Sequence, residues 1–78
     1  MSIRAFRRLP WTARREWINQ VADPLTRQIM EVVFLGPRRV SWAKAACMIG
    51  GGNSPETIRK RVFRELHRQR PEAKAVPF

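Results

Sequence analysis

Apolar residues recur at helical spacing along most of the chain. Between residues 11 and 70 they return every three to four positions, and alternation in twos is almost absent. This periodicity is typical of helices that bury one face. It predicts an all-α domain of four helices, with segments WTARREWINQV, DPLTRQIMEVVFLG, SWAKAACMIG and a longer one from about Ser54 to Arg70.

Residues that favour helix ends divide these segments. Thr12 is the expected N-cap of the first helix, Asp23 with Pro24 begins the second, and Ser41 caps the third, which Gly50 ends. Short polar side chains cap helix N-termini, and proline suits the first helical position. The buried face of the second helix is expected to comprise Leu25, Ile29, Val32, Val33 and Leu35.

The fourth helix has one apolar stripe and one basic side. Asn53 or Ser54 is the expected N-cap, with Pro55 setting the first turn. At about 100° per residue, the apolar stripe comprises Ile58, Val62 and Leu66. The residues that gather on the other side are Thr57, Lys60, Arg61, Arg64 and Arg68.

The ends of the chain differ from this helical region. Residues 1–10 are expected to form a basic arm bearing Arg4, Arg7 and Arg8, with a short amphipathic turn as the alternative. Residues 11–70 are the expected domain, and residues 71–78 a flexible tail.

Charge is the most informative bulk property. Sixteen Lys and Arg face six Asp and Glu, a formal net charge of +10. Such an excess favours a polyanionic partner, with nucleic acid the foremost candidate. An acidic protein groove or an acidic membrane surface is the alternative. No apolar run is long enough to span a membrane, and a single cysteine excludes a disulfide within the chain. We expect a reducing, cytoplasmic location.

Catalytic and metal chemistry find little support. Cys47 and His67 are the only soft metal ligands, whereas a structural zinc site commonly takes four. Cys47 is expected to be buried and His67 exposed. No nucleophile and base stand together, and the glycines at 50–52 lack the lysine and preceding strand of a phosphate-binding loop. We therefore expect no enzyme activity, cofactor or metal.

The pair SWAKAACMIG and NSPETIRKRVFRELHRQR resembles the helix-turn-helix of sigma-factor region four. The likeness covers roughly residues 23–70 and is carried by Trp42, Ala45, Ala46, Ile49, Gly50, Ser54, Thr57, Ile58, Arg59, Arg61, Val62, Arg64 and Leu66. It implies that the fourth helix enters the major groove of DNA. The chain departs from the family in the turn, where GGN between Gly50 and Ser54 is two residues longer and lacks an apolar residue.

The resemblance and the charge together predict a sequence-preferring double-stranded DNA-binding protein. Its expected role is that of a small transcription regulator of phage or mobile-element type in a bacterial host cell. The expected DNA-binding residues are Ser54, Pro55, Glu56, Thr57, Lys60, Arg61, Arg64 and Arg68, with Arg38 and Arg39 in the loop before the third helix.

Other functions remain open. Phe63 stands off the apolar stripe, which favours a small phage factor that binds a host protein such as RNA polymerase. A viral DNA-packaging or RNA-binding protein would use the same positive charge. Dimerisation would enlarge the DNA site, but no heptad run marks an interface, so both a homodimer and a monomer are open.

Overall fold

The computed structural model describes residues 1–68, and this part of the chain is all α, as predicted. It forms five helices and no strand: α1 (Ile3–Arg7), α2 (Trp11–Asn19), α3 (Pro24–Phe34), α4 (Trp42–Ile49) and α5 (Pro55–His67). The expected number of four was wrong because the basic segment before residue 11 also folds into a helix.

α1 belongs to the core. Ser2 caps it, accepting a hydrogen bond from the backbone of Ala5 at 3.0 Å. Phe6 is fully buried, and its ring meets Trp17 edge-on at a centroid distance of 5.3 Å and Phe34 at 4.8 Å. Such aromatic pairs add to the hydrophobic gain of burial. The segment, expected to be a basic arm or a short amphipathic turn, is therefore a helix packed against α2 and α3.

α2 starts two residues earlier than it would with Thr12 as its N-cap. Trp11 is its first residue, and no side chain caps it. The carbonyl of Pro10 accepts from the backbone of Arg14 at 3.0 Å and closes the first turn. Thr12 therefore lies inside that turn, and the prediction that it is the N-cap was wrong.

α3 begins as predicted. Asp23 Oδ2 accepts from the backbone nitrogen of Thr26 at 2.9 Å and from its hydroxyl at 2.7 Å, with Pro24 in the first turn. The buried face is rotated from the expected one: it comprises Thr26, Ile29, Met30, Val33 and Phe34, whereas Leu25, Val32 and Leu35 are half-buried. Phe34 belongs to the buried face because its ring packs against Phe6 of α1.

α4 has both predicted ends. Ser41 caps it, and Gly50 ends it with φ 71°, donating to the carbonyl of Ala46 at 2.9 Å. Ala45 and Ala46 are buried, and their small side chains suit the close approach of α5, which packs against α4. Cys47 lies on the outer side and is exposed, so the expectation that it is buried was wrong.

The turn between α4 and α5 depends on glycine. Gly50, Gly51 and Gly52 all have positive φ, at 71°, 70° and 76°. L residues with side chains rarely adopt this conformation, because the Cβ approaches the following carbonyl. Asn53 closes the turn by donating from Nδ2 to the carbonyl of Gly50 at 3.1 Å.

α5 starts after Ser54, which settles the choice between the two candidate caps. The helix ends at His67, because Arg68 is extended with φ −73° and ψ 132°. It is therefore shorter than predicted. Arg70, where the helix was expected to end, and the expected tail at 71–78 lie outside the described residues.

The five helices enclose one core, with α5 packed against α1, α3 and α4. The backbone nitrogen of Met1 donates to the carbonyl of Leu66 at 3.1 Å and ties α1 to the end of α5. Among residues 1–68, no helix combines the length and the apolar character that crossing a membrane requires.

Candidate nucleic-acid interface

α5 divides into an inward and an outward side. Ile58 and Val62 are fully buried and Leu66 is nearly so, as predicted. At about 100° per residue, the polar residues opposite them fall in a sector about 100° wide. These residues are Thr57, Lys60, Arg61, Arg64 and Arg68.

The start of α5 presents short exposed side chains. The residues from Ser54 to Thr57 are all exposed. Ser54 Oγ accepts from the backbone nitrogen of Thr57 at 3.1 Å, and the two hydroxyl oxygens lie 2.8 Å apart. Each hydroxyl has one donor and two acceptor positions, so both keep capacity for a further partner. The exposed backbone start of a helix also favours an anion.

Lys60 and Glu56 form an ion pair one turn apart. Their Nζ and Oε1 atoms are 3.5 Å apart, and both side chains are more than half exposed. Such pairs contribute only about 0.3–0.5 kcal/mol. Lys60 can therefore exchange Glu56 for a stronger anion with little loss of stability.

Arg61 is less available than its neighbours on this side. Its Nη1 lies 3.1 Å from Asp23 Oδ2, and both side chains are partly buried. The pKa of Asp23 is lowered, first by the hydrogen bond from the Thr26 hydroxyl, then by the Thr26 backbone and, more weakly, by Arg61. Partial desolvation opposes these effects. Arg61 therefore connects α5 to the N-terminus of α3.

Arg64 is exposed and has no hydrogen-bond or ion-pair partner among residues 1–68. It borders two adjoining depressions that also share Arg61. One, of about 320 Å³, is lined by Thr57, Lys60, Arg61 and Arg64. The other, of about 470 Å³, is lined by Asp23, Thr26, Arg61, Arg64, Glu65 and Arg68. We call the two together the α5 groove.

The α5 groove carries mixed charge. Arg68 Nη1 lies 3.7 Å from Oε1 of Glu65, whose carboxylate is almost completely buried. With Asp23 and Glu56, three carboxylates therefore accompany the four bases of this side. Lys60, Arg64 and Arg68 are the exposed bases of this side, and Arg64 is the one without a carboxylate partner among residues 1–68.

Arg38 and Arg39 do not join this site. They lie in the loop between α3 and α4 and line a separate cavity with Arg7 and Arg14. The ten predicted DNA-binding residues therefore occupy two places on the surface. Sequence reasoning missed Arg14 as a member of the second. Arg7 had been assigned to the expected basic arm at residues 1–10.

The other flank of α5 is chemically different. Phe63 is 49% exposed and its ring stacks on His67 at 4.1 Å. His67 Nδ1 lies 2.9 Å from the carbonyl of Phe63, and Arg59 is exposed nearby in the sequence. Within the described range, no three His, Cys, Asp or Glu residues are placed to hold a metal ion.

In comparisons with known proteins, the chain matches no protein family, no curated protein and no solved structure.

Proposed function

We propose that the protein is a sequence-preferring double-stranded DNA-binding protein in which α4, the glycine turn and α5 act as a helix-turn-helix. In this proposal the N-terminal half of α5 lies in the major groove. A helix with its side chains is about 10–12 Å across, which the roughly 12 Å wide major groove admits. The biological role we propose is a small transcription regulator of phage type in a bacterial cell.

The observation that carries this proposal is the exposure of Lys60 and Arg64 on a helix whose opposite stripe is buried. Long bases in this position can reach phosphates or the acceptor atoms of guanine. The short polar residues at the start of α5 would allow the backbone to approach base edges. Arg61, which is partly buried and paired with the carboxylate that caps α3, would position α5 more than it reads sequence.

The test is selection of bound sequences from a random duplex pool at near-physiological salt. We expect enrichment of one motif. The logarithm of the affinity should fall by about 0.9 per tenfold increase in salt for each phosphate neutralised. Absence of any enriched motif, with weak binding to all duplexes, would refute sequence-preferring recognition. Competition by single strands and RNA separates this function from RNA binding.

A second candidate is a factor that docks on a host protein such as RNA polymerase. It is favoured by Phe63, because a half-exposed aromatic ring on α5 is typical of an interface anchor. Purified, nuclease-treated bacterial RNA polymerase provides the test. Binding that is lost in Phe63→Ser and kept in Arg64→Ala would favour docking, whereas absence of binding to the nuclease-treated polymerase would favour DNA.

A further inference from the structure

A group of six arginines lies away from the α5 groove. It comprises Arg4, Arg7 and Arg8 near α1, Arg14 on α2, and Arg38 and Arg39 in the α3–α4 loop. We call it the arginine cluster. We propose that the arginine cluster is a second anion site, which binds a phosphate group independently of α5.

Two adjoining cavities define this site. The smaller, of about 170 Å³, lies among Arg7, Arg14, Arg38 and Arg39. The larger, of about 370 Å³, is bordered by Arg4, Arg7, Arg8, Arg39, Ile3 and Trp42. Arg7 and Arg39 line both. The smaller cavity is below the roughly 300–1,000 Å³ of sites for drug-sized ligands, so it suits a small anionic group.

No carboxylate lines either cavity, in contrast to the α5 groove. Within residues 1–68, the ion pairs occur elsewhere, and none includes a member of the arginine cluster. The pKa of Arg7 is lowered, first by burial and then by the charge of Arg39. The positive charges therefore repel one another, and an anion between them would relieve that repulsion.

Two of the arginines are already held in place. The guanidinium of Arg7 lies 5.4 Å from the centroid of the Phe34 ring. Arg14 Nη1 donates to the carbonyl of Leu9 at 2.6 Å and to that of Arg7 at 3.2 Å. Side chains fixed before binding lose less conformational entropy when they bind. Arg14 Nε is also buried without an acceptor in the described part of the chain, so its hydrogen-bonding capacity is incompletely used.

Phosphate is the anion that this arrangement fits. Guanidinium groups present planar pairs of N–H donors that match the oxygens of a phosphate. Arg38 and Arg39 are exposed and can close on a group seated against the fixed pair. The phosphate can come from free inorganic phosphate or from the backbone of a nucleic acid, and these sources share the chemistry of recognition.

The arginine cluster and the α5 groove adjoin opposite ends of α3. The smaller cavity adjoins Val33 and Phe34 at the end of α3, whereas the α5 groove adjoins Asp23 and Thr26 at its beginning. At 1.5 Å per residue, Thr26 and Val33 are about 10 Å apart along α3. Contact of one duplex with both places rests on the proposed function and is one outcome of the test below. Binding of free phosphate does not depend on that function.

The experiment uses the full chain, labelled so that arginine side-chain and backbone NMR signals are visible. Inorganic phosphate is titrated first, with chloride at matched ionic strength as the reference, and a 20-base-pair duplex second. The variants are Arg39→Ala and Arg39→Lys, chosen because the Arg39 side chain is exposed. The matched control is Arg59→Ala, because Arg59 is an exposed arginine outside the cluster. Arg7 is avoided because it packs on Phe34.

We expect phosphate to shift the signals of Arg7, Arg14 and Arg39, and Arg39→Ala to weaken binding about tenfold, as for loss of a charged hydrogen bond. Arg39→Lys should recover only part of the lost phosphate affinity, and Arg59→Ala should bind phosphate as tightly as the original chain. If only the duplex shifts these signals, and the shifts are lost in Arg39→Ala but kept in Arg64→Ala, the source is a nucleic-acid backbone.

The inference is overturned if neither phosphate nor duplex shifts these signals, or if the shifts persist unchanged in Arg39→Ala. Failure of the proposed function is distinct from this result. A chain that selects no duplex motif but still binds phosphate at Arg39 would refute sequence reading by α5 and support the arginine cluster as an anion site.

Discussion

Arg61 on α5 donates from Nη1 to Oδ2 of Asp23 at 3.1 Å, and the same carboxylate caps α3. One side chain thus fixes the beginning of α3 and joins it to α5, 38 residues away in the chain. A base that the sequence assigned to DNA contact has a structural partner within the protein.

We expect this relationship to make stability depend on acid. Hydrogen bonds from Thr26 and the charge of Arg61 hold the pKa of Asp23 below its ordinary 3.8. The stabilisation is present above about pH 3.8 and is lost as the pH falls through the lower folded pKa. In Asp23→Asn, the amide oxygen still accepts at the cap, but the side chain does not titrate.

Thermal unfolding of the original chain and of Asp23→Asn between pH 7 and pH 2 tests this acid dependence. The melting temperature of the original chain should fall more steeply below pH 3.8 than that of Asp23→Asn. The other carboxylates titrate in both chains, so the comparison cancels their contribution. Parallel curves would mean that Asp23 does not contribute to the acid sensitivity.

Arg64→Ala and Arg59→Ala separate the two flanks of α5. Both remove an exposed arginine from the same helix, but only Arg64 borders the α5 groove. Arg64→Ala should weaken duplex binding by about 1–3 kcal/mol if Arg64 reads a base, or reduce the salt slope by about one if it contacts phosphate. Arg59→Ala should change affinity much less.

Fluorescence anisotropy with the selected duplex at several salt concentrations measures both quantities. Folding should be unaffected, because exposed substitutions usually change stability by about 0.5 kcal/mol or less. Equal losses of affinity in the two variants would show that overall charge, and not the α5 groove, governs binding.

Phe6→Ala should lower the free energy of unfolding by about 3–5 kcal/mol, the usual range for a buried phenylalanine. Phe6 is fully buried between Trp17 and Phe34. Small domains are stable by only about 5–15 kcal/mol, so the loss is a large fraction of the total.

Denaturant unfolding of Phe6→Ala beside Phe63→Ala provides the measurement. The substitution is chemically identical, but Phe63 is half-exposed. The free energy of unfolding should therefore fall clearly less in Phe63→Ala than in Phe6→Ala. Equal midpoints for the two variants would show that α1 does not contribute to the core.

Two helix caps and one apolar stripe were predictable because they depend on neighbours in the chain. Asp23 with Pro24, Ser41, and the stripe of Ile58, Val62 and Leu66 follow local rules of helix ends and periodicity. The structure confirms each of them.

α1 was missed because its stability is not local. A five-residue helix is unstable alone, and three arginines around one phenylalanine are typical of a solvated arm. The contacts of Phe6 with Trp17 and Phe34, together with the packing of α1 against α5, make the segment part of the core. Likewise, the arginine cluster draws on three separate segments, and the pairing of Arg61 with Asp23 joins distant residues. Local sequence patterns carry no information about such contacts between distant residues.

Gly52→Ala should destabilise the chain, whereas Gly36→Ala should not. A Cβ on Gly52 meets no atom within 4 Å, but its φ is 76°, so the cost arises from the backbone, about 1–2 kcal/mol. At Gly36 φ is not positive and a Cβ makes ordinary contacts at 3.7 Å.

Unfolding midpoints of Gly36→Ala and Gly52→Ala compare the sites. Gly52→Asn should be milder than Gly52→Ala, because asparagine tolerates positive φ better. If both alanine variants are equally stable, the left-handed conformation of the turn is not required.

Cys47, the single cysteine, has its sulfur at the outer surface of α4. Oxidation can therefore join chains covalently in pairs but cannot extend them further. A dimer observed without a reducing agent therefore indicates a non-covalent assembly only if it persists after a thiol reductant is added. The same sulfur offers one defined position for a fluorophore, placed on the helix that supports α5.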